Sequence, residues 1–298
     1  LPQAVGSAIS GAGRRGAATL RLIMRTTSGR IALPVVLFHL VLVLVGRWLA
    51  PYPYAEFQYS QTGELHQLLA PSAQFWLGTD QFGRDILTRI IYGARTALFV
   101  GFSCAMIGAC TGLVLGVASA YFGGRFDLIF QRVMDVFMAF PLIIMAMAVV
   151  SIFGTGTQNV IIAITIPFIP RCARVVRSSA LAIREIPYVD AARALGYSHT
   201  RIILRHMVPN VMAPFLIMLT AFVGQAILLE ASLSYLGLGV QEPTPAWGLM
   251  LQGGAEEYAE SAPWVAVWPG IAISLAVFGF NLFGDALRDA LDPKLRQI

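Results

Sequence analysis

Hydrophobic positions in this 298-residue chain come in long unbroken runs rather than short alternating ones. Six runs stand out: Leu33 to Ala50, Thr96 to Tyr121, Met134 to Phe153, Asn159 to Val176, Val211 to Leu236 and Trp264 to Gly284. Each is close to the roughly 20 residues a helix needs to cross the hydrocarbon core of a bilayer. No water satisfies the backbone there, so a spanning segment is either a helix or a strand of a closed barrel. Barrel strands read as alternating segments of about ten residues, which these runs are not. The pattern predicts an all-α integral membrane protein with six transmembrane helices.

The polar stretches between the runs have their own patterns. Pro51-Tyr52-Pro53-Tyr54 ends the first helix, because proline lacks the N–H and clashes with the preceding turn. Asp80 to Arg95 reads as an interfacial amphipathic helix. Ile86, Leu87, Ile90 and Ile91 share one face, flanked by Arg84, Asp85, Thr88 and Arg95. Gly237 to Gly248 is a glycine- and proline-rich bend, either a vestibule and partner contact or a plain connector. Pro141, Pro167, Pro170 and Pro269 are expected to kink or break helices.

Charge then orients the helices, since cytoplasmic connections carry an excess of Lys and Arg. The first stretch holds Arg14, Arg15, Arg21, Arg25 and Arg30 with no acid. Arg125 and Arg132 lie in the second-to-third connection. Arg171, Arg174, Arg177, Arg184, Arg193, Arg201 and Arg205 lie in or near the fourth-to-fifth, and Arg288, Lys294 and Arg296 follow the last run. The fifth-to-sixth connection has Glu242, Glu256, Glu257 and Glu260 and no basic residue. Six crossings put both termini in the cytoplasm. The expected organisation is a basic cytoplasmic tail over 1–30 and a permease domain over 31–298. That domain has outer loops at 51–95 and 237–263 and a cytoplasmic loop at 177–209. The first run lacks a small-residue cleavage pattern and is read as an uncleaved span.

Composition agrees. Hydrophobic residues make up 57% and charged residues 12%, about half the charge of a soluble domain, and the mean hydropathy is +0.70. The net charge of +5 does not indicate nucleic acid, because the arginines sit between apolar runs without interleaved aromatics for base stacking. Cys104, Cys110 and Cys172 lack metal-ligand spacing and read as small core residues. The single lysine, Lys294, rules out a Gly-Lys-Ser/Thr phosphate loop. His39, His66, His199 and His206 are scattered, with no zinc helix and no nucleophile elbow. No catalytic, cofactor-binding or metal-binding residue is expected.

Four features inside or beside the runs have functional potential. Gly108, Gly112 and Gly116 place small residues at four-residue spacing. They form either a subunit seam or ordinary packing within the bundle. Glu230, with Gln225 one turn earlier, is a charge at membrane depth. It is either a translocation-path residue or a structural hydrogen bond near the outer helix end. Asp135 is expected to pair with Arg132 at the membrane surface. The fourth is Tyr188-Val189-Asp190-Ala191-Ala192-Arg193-Ala194-Leu195-Gly196, followed by His206-Met207-Val208-Pro209-Asn210. Anionic lipid would account for the arginines there. It would not account for the small residues, which tight packing against a partner would.

This segment resembles the Glu-Ala-Ala loop of ABC-importer permeases, with Asp190 in place of Glu and His206-Met207-Val208-Pro209 in place of Ile-x-Leu-Pro. The resemblance extends to Leu77 through Arg95, Tyr121-Phe122-Gly123-Gly124, Pro243-Thr244-Pro245-Ala246-Trp247-Gly248 and Asn281 through Pro293. These look like the permeases of the dipeptide, oligopeptide and nickel class, C-type subunit, over about Gly29 to Leu295. The resemblance implies a type I importer in the bacterial cytoplasmic membrane. A paralogous permease would complete the path, and two ATPases would hold ATP and magnesium. An extracytoplasmic binding protein would deliver di- or oligopeptide, or alternatively haem or a nickel chelate. Closure of the ATPases would move the docking helices and open the path outward. By the same resemblance, Asp190, Ala191, Ala192 and Gly196 dock the ATPase, with Tyr188 and Arg193 as neighbours. Asp190 would cap its own helix or pair with a base on the ATPase. A self-sufficient secondary carrier is the rival; it would show paired broken spans and more charge in the membrane.

Overall fold

The computed structural model describes residues 22–24, 26–60, 63–255 and 257–291. Arg14, Arg15, Arg21, Arg25, Glu256, Asp292, Pro293, Lys294 and Arg296 lie outside the described residues. The helices are α1 (Thr27–Leu49), α2 (Ile86–Phe122), α3 (Gly124–Met138), α4 (Leu142–Phe153) and α5 (Thr157–Arg184), then the short α6 (Pro187–Ala194) and α7 (His199–Ile202). A π turn at Ile203–Met207 and a 3₁₀ turn at Val208–Asn210 lead into α8 (Met212–Tyr235), α9 (Trp247–Ala255) and α10 (Trp264–Leu291). Among the described residues, β pairing is confined to two isolated bridges, Tyr59 with Leu65 and Thr79 with Asp85.

Among the described residues, five helices are long and apolar enough to cross a bilayer: α1, α2, α5, α8 and α10. A further pair, α3 and α4, is long and apolar enough only when taken together, and these meet at 88°, as a broken span or a re-entrant loop does. The third run is therefore not one straight helix from Met134 to Phe153. Ala139 caps α3, and Pro141, which has no N–H to donate, starts a new axis. Pro167, Pro170 and Pro269 instead lie inside continuous helices.

A second correction concerns Asp80 to Arg95, which is not an amphipathic helix lying on the membrane. Residues 81–83 form a turn, Asp85 lies in the bridge to Thr79, and Ile86 begins α2, a 37-residue helix. At 1.5 Å per residue α2 is about 55 Å long, well over the bilayer core. Ile86 and Ile91 are buried in protein rather than lipid. Asp85 caps α2, its Oδ2 accepting from Thr88 N at 2.8 Å.

Helix α2 is the centre of the bundle, packed most extensively on α5 and next on α8, while α10 bridges α8 and α1. The glycine row is the α2–α5 seam. A Cβ at Gly108 would stand 2.8 Å from Phe168 Cβ, one at Gly112 2.5 Å from Cys172 Cβ, and one at Gly116 2.5 Å from the Ala173 carbonyl oxygen. The packing is within the chain, of the close small-residue kind that lipid favours.

Candidate functional site

At the C-terminal end of α2, the segment between α5 and α8 forms a compact platform. Pro187 opens α6, its fixed φ suiting the first helical position. Val189 and Ala192 turn inward, 0% and 4% exposed. The other side of α6 presents Asp190, Ala191, Arg193 and Ala194, continued by Leu195, which is 73% exposed. Gly196 ends the helix at φ +75°. Its N–H donates to Arg193 O at 2.9 Å and Tyr197 N donates to Ala192 O at 3.1 Å, the paired bonds of a Schellman cap.

The motif's members thus divide. Ala191 and Gly196 are open, whereas Ala192 serves the fold of its own chain. Asp190 neither caps α6 nor stands free. The N-cap Ile186 offers no side-chain bond, and Asp190 accepts from Arg193 Nη1 at 3.1 Å within the same helix. Tyr188 acts as a staple: its hydroxyl donates to His206 O and accepts from Asn210 Nδ2, both at 3.0 Å. The His206 ring stacks on Tyr197 at 6.1 Å, and the Arg201 guanidinium lies 4.0 Å over Tyr197.

This platform is tied to the α2–α3 corner. Tyr121 Oη and His199 Nδ1 share a 2.7 Å hydrogen bond, and Arg193 lies over the Tyr121 ring at 5.3 Å. Arg184 Nη1 donates to Ala120 O at 2.9 Å. Arg177 Nε donates to Asp127 at 2.6 Å, and Ser119 donates to the same carboxylate. Asp135 pairs with Arg132 at 3.7 Å, as the spacing predicts, and also with Arg174 of α5.

The opposite end of α2 holds an arrangement that sequence reasoning missed. Asp80, Arg84 and Arg89 are buried. Asp80 Oδ1 accepts from the N–H groups of Phe82 and Arg84, both at 2.9 Å, and Arg84 Nε donates to Asp80 Oδ2 at 2.7 Å. Both arginines reach Glu242, 158 and 153 residues away: Arg84 Nη1 at 2.8 Å and Arg89 Nη2 at 3.0 Å. Trp247 Nε1 donates to Ile90 O at 3.0 Å. A Cβ at Gly93 would stand 2.6 Å from that indole. The Gly237–Gly248 stretch is therefore a latch onto α2 rather than a plain connector. The available signal was two arginines five apart facing an otherwise acidic second loop. Burial pushes the Asp85 carboxyl above its ordinary range; the Thr88 N–H and hydroxyl oppose this, and the Asp80 charge adds to it.

Gln225 and Glu230 do not converge. Gln225 is half-buried on α8. Glu230 is 1% exposed, Ser234 Oγ donates to its Oε1 at 2.7 Å, and Val240 N donates to Ser234 Oγ at 3.2 Å.

The site thus lies on a polytopic helical bundle with a stapled basic platform at one end and a charge latch at the other. Residues 112–297 match the family of binding-protein-dependent transport system inner membrane components. The chain belongs to that family: it is the inner-membrane permease component of a binding-protein-dependent ABC importer. It is 45% identical over 238 residues to the dipeptide transport system permease protein DppC of Alkalihalophilus pseudofirmus, covering 80% of this chain and 78% of that one. It is 42% identical over 278 residues to a putative peptide transport system permease protein of Brucella suis, covering 93% and 92%. It is also 42% identical over 270 residues to the glutathione transport system permease protein GsiD of Escherichia coli, covering 89% and 87%. Among solved structures, the fold matches a chain of the MetNI methionine ABC transporter with a TM-score of 0.51. That match has 21% identity and covers 67% of this chain and 96% of that chain. The architecture is that of a type I importer permease.

Proposed function

We propose that this chain is one of two paralogous permease subunits of an ATP-driven importer for di- or oligopeptides. In this reading both termini and the α6–α7 platform face the cytoplasm. Two separate ATPase subunits dock there and carry the ATP and magnesium, so this chain performs no catalysis. An extracytoplasmic binding protein meets the end with the charge latch. Peptide is favoured because the relatives are named for dipeptide, peptide and glutathione transport.

The observation that carries the docking assignment is the exposed face of α6. Leu195 stands out beside Ala191, Ala194 and Gly196, an apolar knob with small residues around it. The inner face is already filled by Val189 and Ala192. An exposed apolar knob on an otherwise basic loop suits a cleft on another protein. The positive-inside distribution supports the orientation: Arg125, Arg132, Arg174, Arg177, Arg184, Arg193, Arg201 and Arg205 belong to this end. For Glu230, its burial and its bond to Ser234 support a structural role at the α8 end over a path-lining one.

The test is ATP hydrolysis by the complex purified through this chain, with and without peptide-loaded binding protein. Stimulation is expected in the wild type and lost in Gly196→Trp and Leu195→Arg. Gly196 has no atom within 4 Å of a built Cβ, so the indole projects outward. The left-handed backbone adds only about 1–2 kcal/mol of strain. Normal stimulation and transport in both variants would sink the docking assignment.

A further inference from the structure

A groove of about 610 Å³ runs between α1 and α2 at the latch end of the bundle. Leu40 and Val43 of α1 form one wall, and Phe99 and Phe102 of α2 the other. Tyr54 and Tyr92 stand where the helices meet the latch, their ring centroids 5.0 Å apart. Arg95 opens into the same groove. It is exposed. Among the described residues it has no ion pair, hydrogen bond or ring contact, whereas Arg84 and Arg89 are each matched by carboxylates.

We propose that this groove binds one anionic phospholipid, its phosphate on the Arg95 guanidinium and an acyl chain laid along Leu40, Phe99 and Phe102. Three features support a lipid. Tyr54 and Tyr92 mark the level where aromatic rings gather at the membrane–water boundary. Phe99 and Phe102 lie four and seven residues beyond Arg95, roughly 6 and 10 Å deeper along the helix, so the apolar wall begins below the cation. A cation at that level, on a stem long enough to reach the boundary, is placed for a headgroup. A peptide in transit fits less well. Below Arg95, α2 offers it only the hydroxyls of Thr96 and Ser103, too few for a backbone that must satisfy each N–H and C=O. An acyl chain needs none. Thr157 of α5 and Thr244 and Pro245 of the second loop also border the groove, so the lipid would touch α1, α2, α5 and the second loop. This inference rests on the membrane fold and not on the peptide assignment.

The complete transporter, stripped of lipid and titrated with phosphatidylglycerol or phosphatidylcholine under native mass spectrometry, tests it. One phosphatidylglycerol should be held in preference to phosphatidylcholine. Arg95→Gln should weaken its retention about fivefold, the equivalent of about 1 kcal/mol, and leave phosphatidylcholine unchanged. Ser103→Trp, which fills the groove, should weaken both. A phosphatidylglycerol carrying a photoreactive acyl chain should label residues 40–43 and 98–103. Equal retention by the wild type and both variants, or labelling elsewhere, overturns the proposal. Displacement of the lipid by transported peptide overturns it too and assigns the groove to cargo.

Discussion

The two ends of α2 are held by opposite means. At its N-terminal end, Asp80, Arg84 and Arg89 are buried together and closed by Glu242 from the far side of the sequence. At its C-terminal end, the buried Tyr121 meets Arg193 and His199 of the platform through ring contacts and one hydrogen bond, and a partly exposed ion pair of Arg177 with Asp127 ties α5 to α3. Buried charges tolerate no loss of a partner, because the remaining charge stays desolvated. Surface bonds break and reform against water at small cost. The latch end is thus built to stay in register, and the platform end to be displaced by small forces. In the proposed reading, with the ATPases docked on the platform, coupling needs that asymmetry.

Breaking the latch should have the largest effect. Asp80→Ala strips Arg84 of its tightest partner and frees two backbone N–H groups, and is expected to destabilise by about 3–5 kcal/mol. The measurement is a thermal melt of the purified complex, with Glu242→Gln milder because Glu242 is half-exposed. Gly112→Leu attacks the seam that joins the two ends. Its Cβ alone would stand 2.5 Å from Cys172 Cβ and 3.0 Å from Ala173 N, so a cost of about 1–3 kcal/mol or more is expected, read as loss of monodisperse protein. Tyr188→Phe removes the staple hydroxyl. It should cost only about 1 kcal/mol, confined to the platform, with faster amide exchange over 197–210 and a melt that barely moves. A global loss of stability in Tyr188→Phe would refute the asymmetry.

The smallest effect concerns Asp85. Its carboxyl titrates higher in the folded protein than the ordinary value of 3.8. The folded chain therefore holds that proton more tightly than the unfolded chain. This contribution is most favourable below 3.8 and is lost as pH rises through the folded-state value. Asp85→Asn keeps a good N-cap and removes the penalty. Melting between about pH 4 and about pH 8 should show the variant gaining on the wild type as pH rises. An unchanged difference across that range would contradict the burial account.

Much of this was legible in the residues. Hydropathy located the five long spans and the apolar stretch of the α3–α4 pair, since lipid imposes one solution on a long apolar run. Of the small residues read as packing against a partner, Ala192 packs on its own chain, while Ala191 and Gly196 stand open. The 88° turn between α3 and α4 was not legible, because a proline signals a break and not its angle. Nor was the early start of α2: Ile86, Leu87, Ile90 and Ile91 look alike whether they face lipid or protein. The latch depends on pairing Arg84 and Arg89 with a residue more than 150 positions away, and local pattern carries no such information. The inward turn of Ala192 was hidden for a related reason, since an alanine fits both sides of a helix.

The indole of Trp247 is buried against Gly93, with its nitrogen on the Ile90 carbonyl. Trp48 and Trp76 are each 70% exposed. The molecule therefore carries a shielded chromophore at its latch and open ones elsewhere. With the other tryptophans replaced by phenylalanine, the emission of Trp247 would report directly on parting of the second loop from α2. A constant emission through the transport cycle would show the latch staying closed, with no label added.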